Sequence, residues 1–198
     1  MELKLFRISL FAAPLLYAIS GFFWINGGQY GVTCGTLIII GSFFWVFALS
    51  GLFDLLVEQT PRYATWGRAI ATYGCVCGGV GFGLQSMFSE MFNISHKAML
   101  QAMVDYPIAS NLIFWLAGPV FPLSILILGI VISIKRVVPF GIGILLSAGG
   151  LLFPLSRIFR IALVAHLVDL LMLAPALYIA LYVIAKRGRK INPITIKS

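Results

Sequence analysis

The apolar residues of this chain come in unbroken runs long enough to cross a bilayer, and no other feature restricts its fold so strongly. A helix of a soluble domain keeps a polar face, and stretches such as residues 123–134 have none. Composition points the same way: of 198 residues, 61% are hydrophobic and 10% charged, where soluble domains carry about 25% charged residues. A soluble enzyme is excluded. The expected fold is an all-α polytopic membrane protein, one integral membrane domain over residues 1–198.

Six spans can be drawn, over residues 5–24, 31–57, 65–87, 109–134, 138–156 and 161–185. The fifth is short: residues 138–153 rise only about 24 Å as a helix, so it must extend through Pro154 to Ser156. Merging the fifth and sixth spans would leave Arg157 and Arg160 at mid-membrane and Pro154 inside the helix. Two helices joined by a tight turn avoid both costs.

Fourteen Lys and Arg against six Asp and Glu give a net charge of +8. Nucleic acid is not the expected partner, because the basic residues sit in short connectors and in the tail Lys186, Arg187, Arg189, Lys190, where they meet lipid headgroups. With the N-terminus inside, the inner side holds eleven basic residues and the outer side three, Lys97, Arg157 and Arg160. That asymmetry predicts a bacterial inner (plasma) membrane protein with both termini cytoplasmic. Trp24 and Tyr30 around the first outer turn, and Tyr63 and Trp66 around the first inner one, fit an interfacial aromatic belt. Lys4, Arg7 and the small residues Ala18 and Ser20 imitate a secretory signal, but the apolar stretch is long for one. The segment is expected to be a retained signal anchor.

Glycines spaced four apart, Gly31 and Gly35, Gly74 and Gly78, Gly79 and Gly83, place small residues on one helix face and let backbones approach. The third span is therefore expected to be a central helix packed on two sides. The functional counterpart is an unwound segment lining a substrate path. In the one long connector, Lys97, Gln101 and Asp105 form one stripe and Met99, Met103 and Tyr106 another. With Ser95 as N-cap and Pro107 as stop, residues 95–106 read as a short amphipathic helix on the outer surface, either a connector or a lid.

The sixth span carries the most informative polar pair. His166 and Asp169 are three apart, on one helix face, and neither should meet lipid. They are expected to point into the bundle, where the carboxylate can fix the imidazole tautomer or share its proton. Arg157 and Arg160 break the inside-basic bias just before them. Either they snorkel to headgroups and pair with an acid, Arg160 with Asp169 for example, or with His166 they form a site for an anionic group. On the inner side Asp54 and Glu58, with Arg62 and Arg68 beyond, read as a charge cluster that sets helix register; its sharper reading is a proton relay toward Asp169.

Cys34, Cys75 and Cys77 fall within spans, and residues two apart on a helix diverge by about 200°, so they read as packing residues. His96 and His166, the two imidazoles, lie at different expected depths, which disfavours a zinc site and a bis-histidine haem. No cofactor is expected. HExxH, GxSxG and P-loop patterns are missing from the sequence. The leading expectation is thus a protein that binds or transports a small solute, ion or lipid in an outer-half pocket built on Arg157, Arg160, His166 and Asp169, partly covered by residues 95–106. A second is a non-catalytic subunit whose glycine faces dock a membrane-protein partner or another copy of the chain, and a third is an intramembrane enzyme acting on a lipid.

Overall fold

The computed structural model describes the backbone of residues 2–25 and 29–191, and the side chains of these apart from Gln29, His96 and 183–191. The cationic groups of the tail, Lys186, Arg187, Arg189, Lys190 and Lys197, and the imidazole of His96, lie outside the described residues. Helix α1 (Leu3–Ser20) runs through a 3-10 turn (Gly21–Phe23) into a two-residue antiparallel ladder pairing Trp24 with Tyr30 and Ile25 with Gln29. Helix α2 (Val32–Asp54) follows. Next come α3 (Pro61–Tyr73), a π-helical stretch (Gly74–Val80) and α4 (Gly81–Met91), which form one continuous rod. Helix α5 (His96–Asp105) lies in the connector. A second composite rod joins α6 (Pro107–Ser110), a π-helical stretch (Asn111–Leu116) and α7 (Ala117–Ile134). The hairpin of α8 (Phe140–Phe159) and α9 (Ala162–Ile191) completes the bundle.

Among the described residues, five helical stretches are long and apolar enough to cross a membrane: Leu3–Phe23, Val32–Asp54, Pro107–Ile134, Phe140–Phe159 and Ala162–Tyr182. Their outward faces carry Phe43, Ile127, Leu145, Leu163, Leu167 and Leu170, all exposed. Water would penalise such a surface and lipid does not. The molecule is an all-α membrane bundle.

The third expected span, residues 65–87, is not one of the five. Thr65, Arg68, Gln85 and a run of glycines dilute its apolar character, so the expected six spans become five long apolar helices plus one small-residue rod. That rod nevertheless lies antiparallel along α2. Gly83 meets Gly35, Gly79 meets Ser42 and Gly67 meets Phe53, in that order. On its other side a Cβ at Gly74 would stand 2.5 Å from the Phe121 amide nitrogen, and one at Gly78 would stand 2.6 Å from the Ala117 carbonyl oxygen. The glycines thus do what their spacing predicts: they seat one rod against two neighbours at backbone contact.

Polar atoms inside the bundle are largely satisfied locally. Ser42, Ser124, Ser133 and Ser147 each donate to the carbonyl four residues earlier, at 2.7–3.0 Å. Pro14, Pro122, Pro154 and Pro175 stand inside helices. The fifth span was expected to extend through Pro154 to Ser156, and α8 continues further, to Phe159; packing within a bundle offsets the one missing hydrogen bond. The tight turn expected after it is present at Arg160, whose backbone is left-handed (φ 53, ψ 34).

The Ser95 hydroxyl caps α5 by accepting from the Ala98 amide at 3.2 Å, and Gln101 donates to Asp105 at 3.0 Å. Pro107 does more than stop this helix: it occupies the first turn of α6. Of the expected stripe, Met99 and Met103 are half-buried while Tyr106 points outward. Glu90, near the end of α4, accepts from the Val32 amide and so caps α2 across the fold. Glu90→Ala should lower stability by about 1–2 kcal/mol, through a lost charge-assisted bond at a helix N-terminus. Thermal unfolding in detergent micelles checks this, and an unchanged midpoint would remove the cap from the argument.

Candidate functional site

The left-handed turn at Arg160 folds α9 back along α8 and sets Asp169 beside Arg157. Asp169 is 1% exposed, and its Oδ1 accepts from Arg157 Nη2 at 2.6 Å. On the same face of α9, Ala165, Val168 and Met172 are buried, while Leu163, Leu167 and Leu170 face out. The acid therefore turns into the protein, as the cost of a charge in hydrocarbon requires.

The Arg157 guanidinium is held on three sides. Its carbon lies 4.7 Å from the Phe153 ring centre and 5.5 Å from that of Trp24, with Asp169 at the third side. Arg160 stands over Tyr30, 5.5 Å from its ring centre. The Tyr30 hydroxyl donates to the Arg157 carbonyl at 3.4 Å, and burial pushes its phenol up to about 12, so it keeps its proton at neutral pH. Tyr30 was expected in an exposed aromatic belt; it is instead buried against the two arginines.

His166 stacks on Phe22, with ring centres 4.1 Å apart and planes at 23°. It makes no hydrogen bond to Asp169, which leaves the expected shared proton without direct contact. A Cβ at Gly21 would lie 3.2 Å from His166 Nδ1 and 3.5 Å from Asp169 Oδ2, so the absence of a side chain there opens the space both atoms face. Arg157 Nη1, His166 Nδ1 and Asp169 Oδ2 are all buried without a hydrogen-bond partner. Three orphan polar atoms in one cluster are uncommon in a native fold.

A cavity of about 540 Å³ opens beside this cluster. Arg157, Arg160, Tyr30 and Gln85 supply polar groups at its wall, and Tyr17, Phe82, Phe114, Trp115, Phe121 and Phe153 supply apolar ones. Tyr17, Phe121 and Phe153 pack on one another at 5.9–6.2 Å between centres. Both π-helical stretches reach the wall, through Gly78 and Gly79 and through Phe114 and Trp115. The wide helical turn is a recurrent feature of functional sites. Leu100 and Met103 of α5 complete the lining.

The four expected outer-half residues therefore divide. Arg157 and Arg160 line the cavity, whereas His166 and Asp169 stand behind Arg157, outside the lining. Asp169 pairs with Arg157 rather than with Arg160, because Arg160 is the turn residue itself and its side chain leaves toward Tyr30. In the charge cluster after α2, Arg68 pairs with Asp54 at 2.5 Å, at the surface, while Glu58 and Arg62 are exposed. A surface pair of that kind contributes at most about 1 kcal/mol. It sits at the opposite end of α2 from the Asp169 cluster, about 30 Å away by helical rise. Among the described residues no group of three or more His, Cys, Asp and Glu could hold a metal ion.

Gly21, Tyr30, Gln85 and the aromatic wall were not singled out as site residues from sequence. Gly21 lies inside the first expected span, 5–24, and no pattern in the sequence marks it. No family model, curated protein or solved structure matches the chain.

Proposed function

We propose that this protein binds, and moves across the outer half of the membrane, a small amphiphilic molecule with an anionic end. The single observation that carries the reading is the shape and chemistry of the cavity: aromatic walls around most of it and two guanidinium groups, Arg157 and Arg160, at one side. Apolar walls accept a chain or ring system, and planar guanidinium forks suit a carboxylate, sulfonate or phosphate. Arg62, Arg68, Lys135 and Arg136 lie toward the opposite end, which supports a bacterial plasma membrane orientation with cytoplasmic termini and an outward-facing cavity. The glycine faces offered for partner docking are filled within the chain by α2 and α7, so the subunit reading draws no support from them.

Gly118 supplies the test. It lines the cavity, and a Cβ built on it would meet nothing within 4 Å. Gly118→Leu should fill the cavity while the helix is kept, since leucine favours a helix over glycine by about 1 kcal/mol. Native mass spectrometry after purification in mild detergent is expected to show a bound amphiphile on the wild type and none on the variant. Equal adducts on both, or none on either, would count against the proposal.

A further inference from the structure

Arg157 belongs to two places at once. It lines the cavity and is also the counter-ion of Asp169, which does not reach the cavity. An anion entering the cavity therefore competes with Asp169 for one guanidinium. Resting on the function proposed above, we infer that the anionic head of the ligand replaces Asp169 as the partner of Arg157, and that Asp169 takes up a proton when it does, so that anion and proton bind together.

The argument is one of charge at depth. Asp169 is shielded from solvent, and a carboxylate left there without its cation carries the full cost of an uncompensated buried charge. A proton on Oδ1 or Oδ2 removes that cost, with no bond formed other than O–H. The ligand keeps its negative charge and Arg157 its positive one, so the bound state is neutral, as is the free state. The orphan atoms fit this exchange. Arg157 Nη1 is buried without a partner, so the guanidinium must turn away from Asp169 before an incoming oxygen can reach it. Asp169 Oδ2 and His166 Nδ1 stand unpartnered beside Gly21, and His166, half-buried, stacks on exposed Phe22.

The ionisable groups around Asp169 come from every neighbouring element: Arg157 on α8, His166 on α9, Tyr17 on α1, Cys34 on α2 and Tyr30 in the ladder. Tyr17 is engaged with Ser42 at 2.8 Å and Tyr30 with the Arg157 carbonyl. His166 is the one imidazole among them and the other place on this face where a proton could rest. The experiment must separate it from Asp169.

Decanesulfonate is a suitable probe, because a sulfonate stays ionised across the range used. Its binding to the protein in phosphatidylcholine nanodiscs can be read by quenching of tryptophan fluorescence, Trp115 being in the wall, with empty discs as the blank. Uptake of one proton with the anion means that Kd rises with pH, by up to about tenfold per pH unit, wherever Asp169 is ionised in the free protein and protonated in the bound one. Asp169→Asn should bind at least as tightly with a flat profile. Calorimetry of the wild type in buffers of different ionisation enthalpy should give close to one proton taken up per anion, a measurement independent of whether the variant folds. A flat wild-type profile with no proton uptake overturns the exchange while leaving the binding reading intact. A slope that persists in Asp169→Asn assigns the proton to His166 and also overturns it. No saturable binding defeats both readings. Phosphatidylglycerol added to the discs tells the source: weakened decanesulfonate binding supports a membrane lipid as occupant, and unchanged binding supports a soluble amphiphile.

Discussion

Replacing Arg157 with leucine is expected to destabilise the protein by about 3–5 kcal/mol, and replacing Asp169 as well should recover most of that loss. The asymmetry follows from burial. Asp169 has no exposed side-chain surface and one charged partner, so losing Arg157 leaves the acid alone in a medium that solvates it poorly. Losing both removes the problem together with the interaction. Reversible unfolding of the two single variants and the double variant, in bicelles, gives the coupling directly as a double-mutant cycle. A single Arg157→Leu cost below about 1 kcal/mol would mean that the carboxylate is not charged in the resting state, and the exchange inferred above would lose its starting point.

The second large effect is steric. At Gly74 the nearest atoms to an added Cβ are backbone, Phe121 N and Cα and Val120 C, at 2.5–2.9 Å. A flexible side chain could swing away; a helix backbone cannot. Gly74→Leu should therefore separate the α3–α4 rod from α7 at a cost of about 3 kcal/mol or more, the upper end for overpacking. The folded, monodisperse fraction after detergent extraction measures it. Gly118→Leu, on the same pair of rods but facing open space, should leave that fraction unchanged. A similar loss in both variants would mean that glycine acts here through backbone freedom and not through contact.

Much of the scaffold was legible because its causes are local. Apolar runs mark the spans, Ser95 caps its helix where a serine before an amphipathic stripe should, and four-residue glycine spacing announces close packing. The proximity of Arg157 to Asp169 was half legible: both residues were visible, but the choice between Arg157 and Arg160 depends on the turn geometry, which no single residue announces. The π-helical stretches have no composition of their own, so 74–80 read as part of a close-packed central helix and 111–116 as ordinary span. Glu90 capping α2 from 58 residues away could not be found by reading along the chain. The burial of Tyr30 was hidden for the same reason: an aromatic at a span end favours the interface by default, and it takes Phe82 of α4, Trp24 and the Arg157 carbonyl of α8 together to enclose it.

The chain leaves α7 through Arg136 and leaves α8 through Arg160, each in the left-handed conformation, with φ of 52 and 53. A residue with a Cβ is less comfortable there than glycine by roughly 1 kcal/mol. Twenty glycines show that the sequence does not avoid that residue. At these two bends, then, local backbone comfort is not what selects the amino acid. At Arg160 the long cationic arm has an object to reach, the ring of Tyr30, on the rim of the chamber.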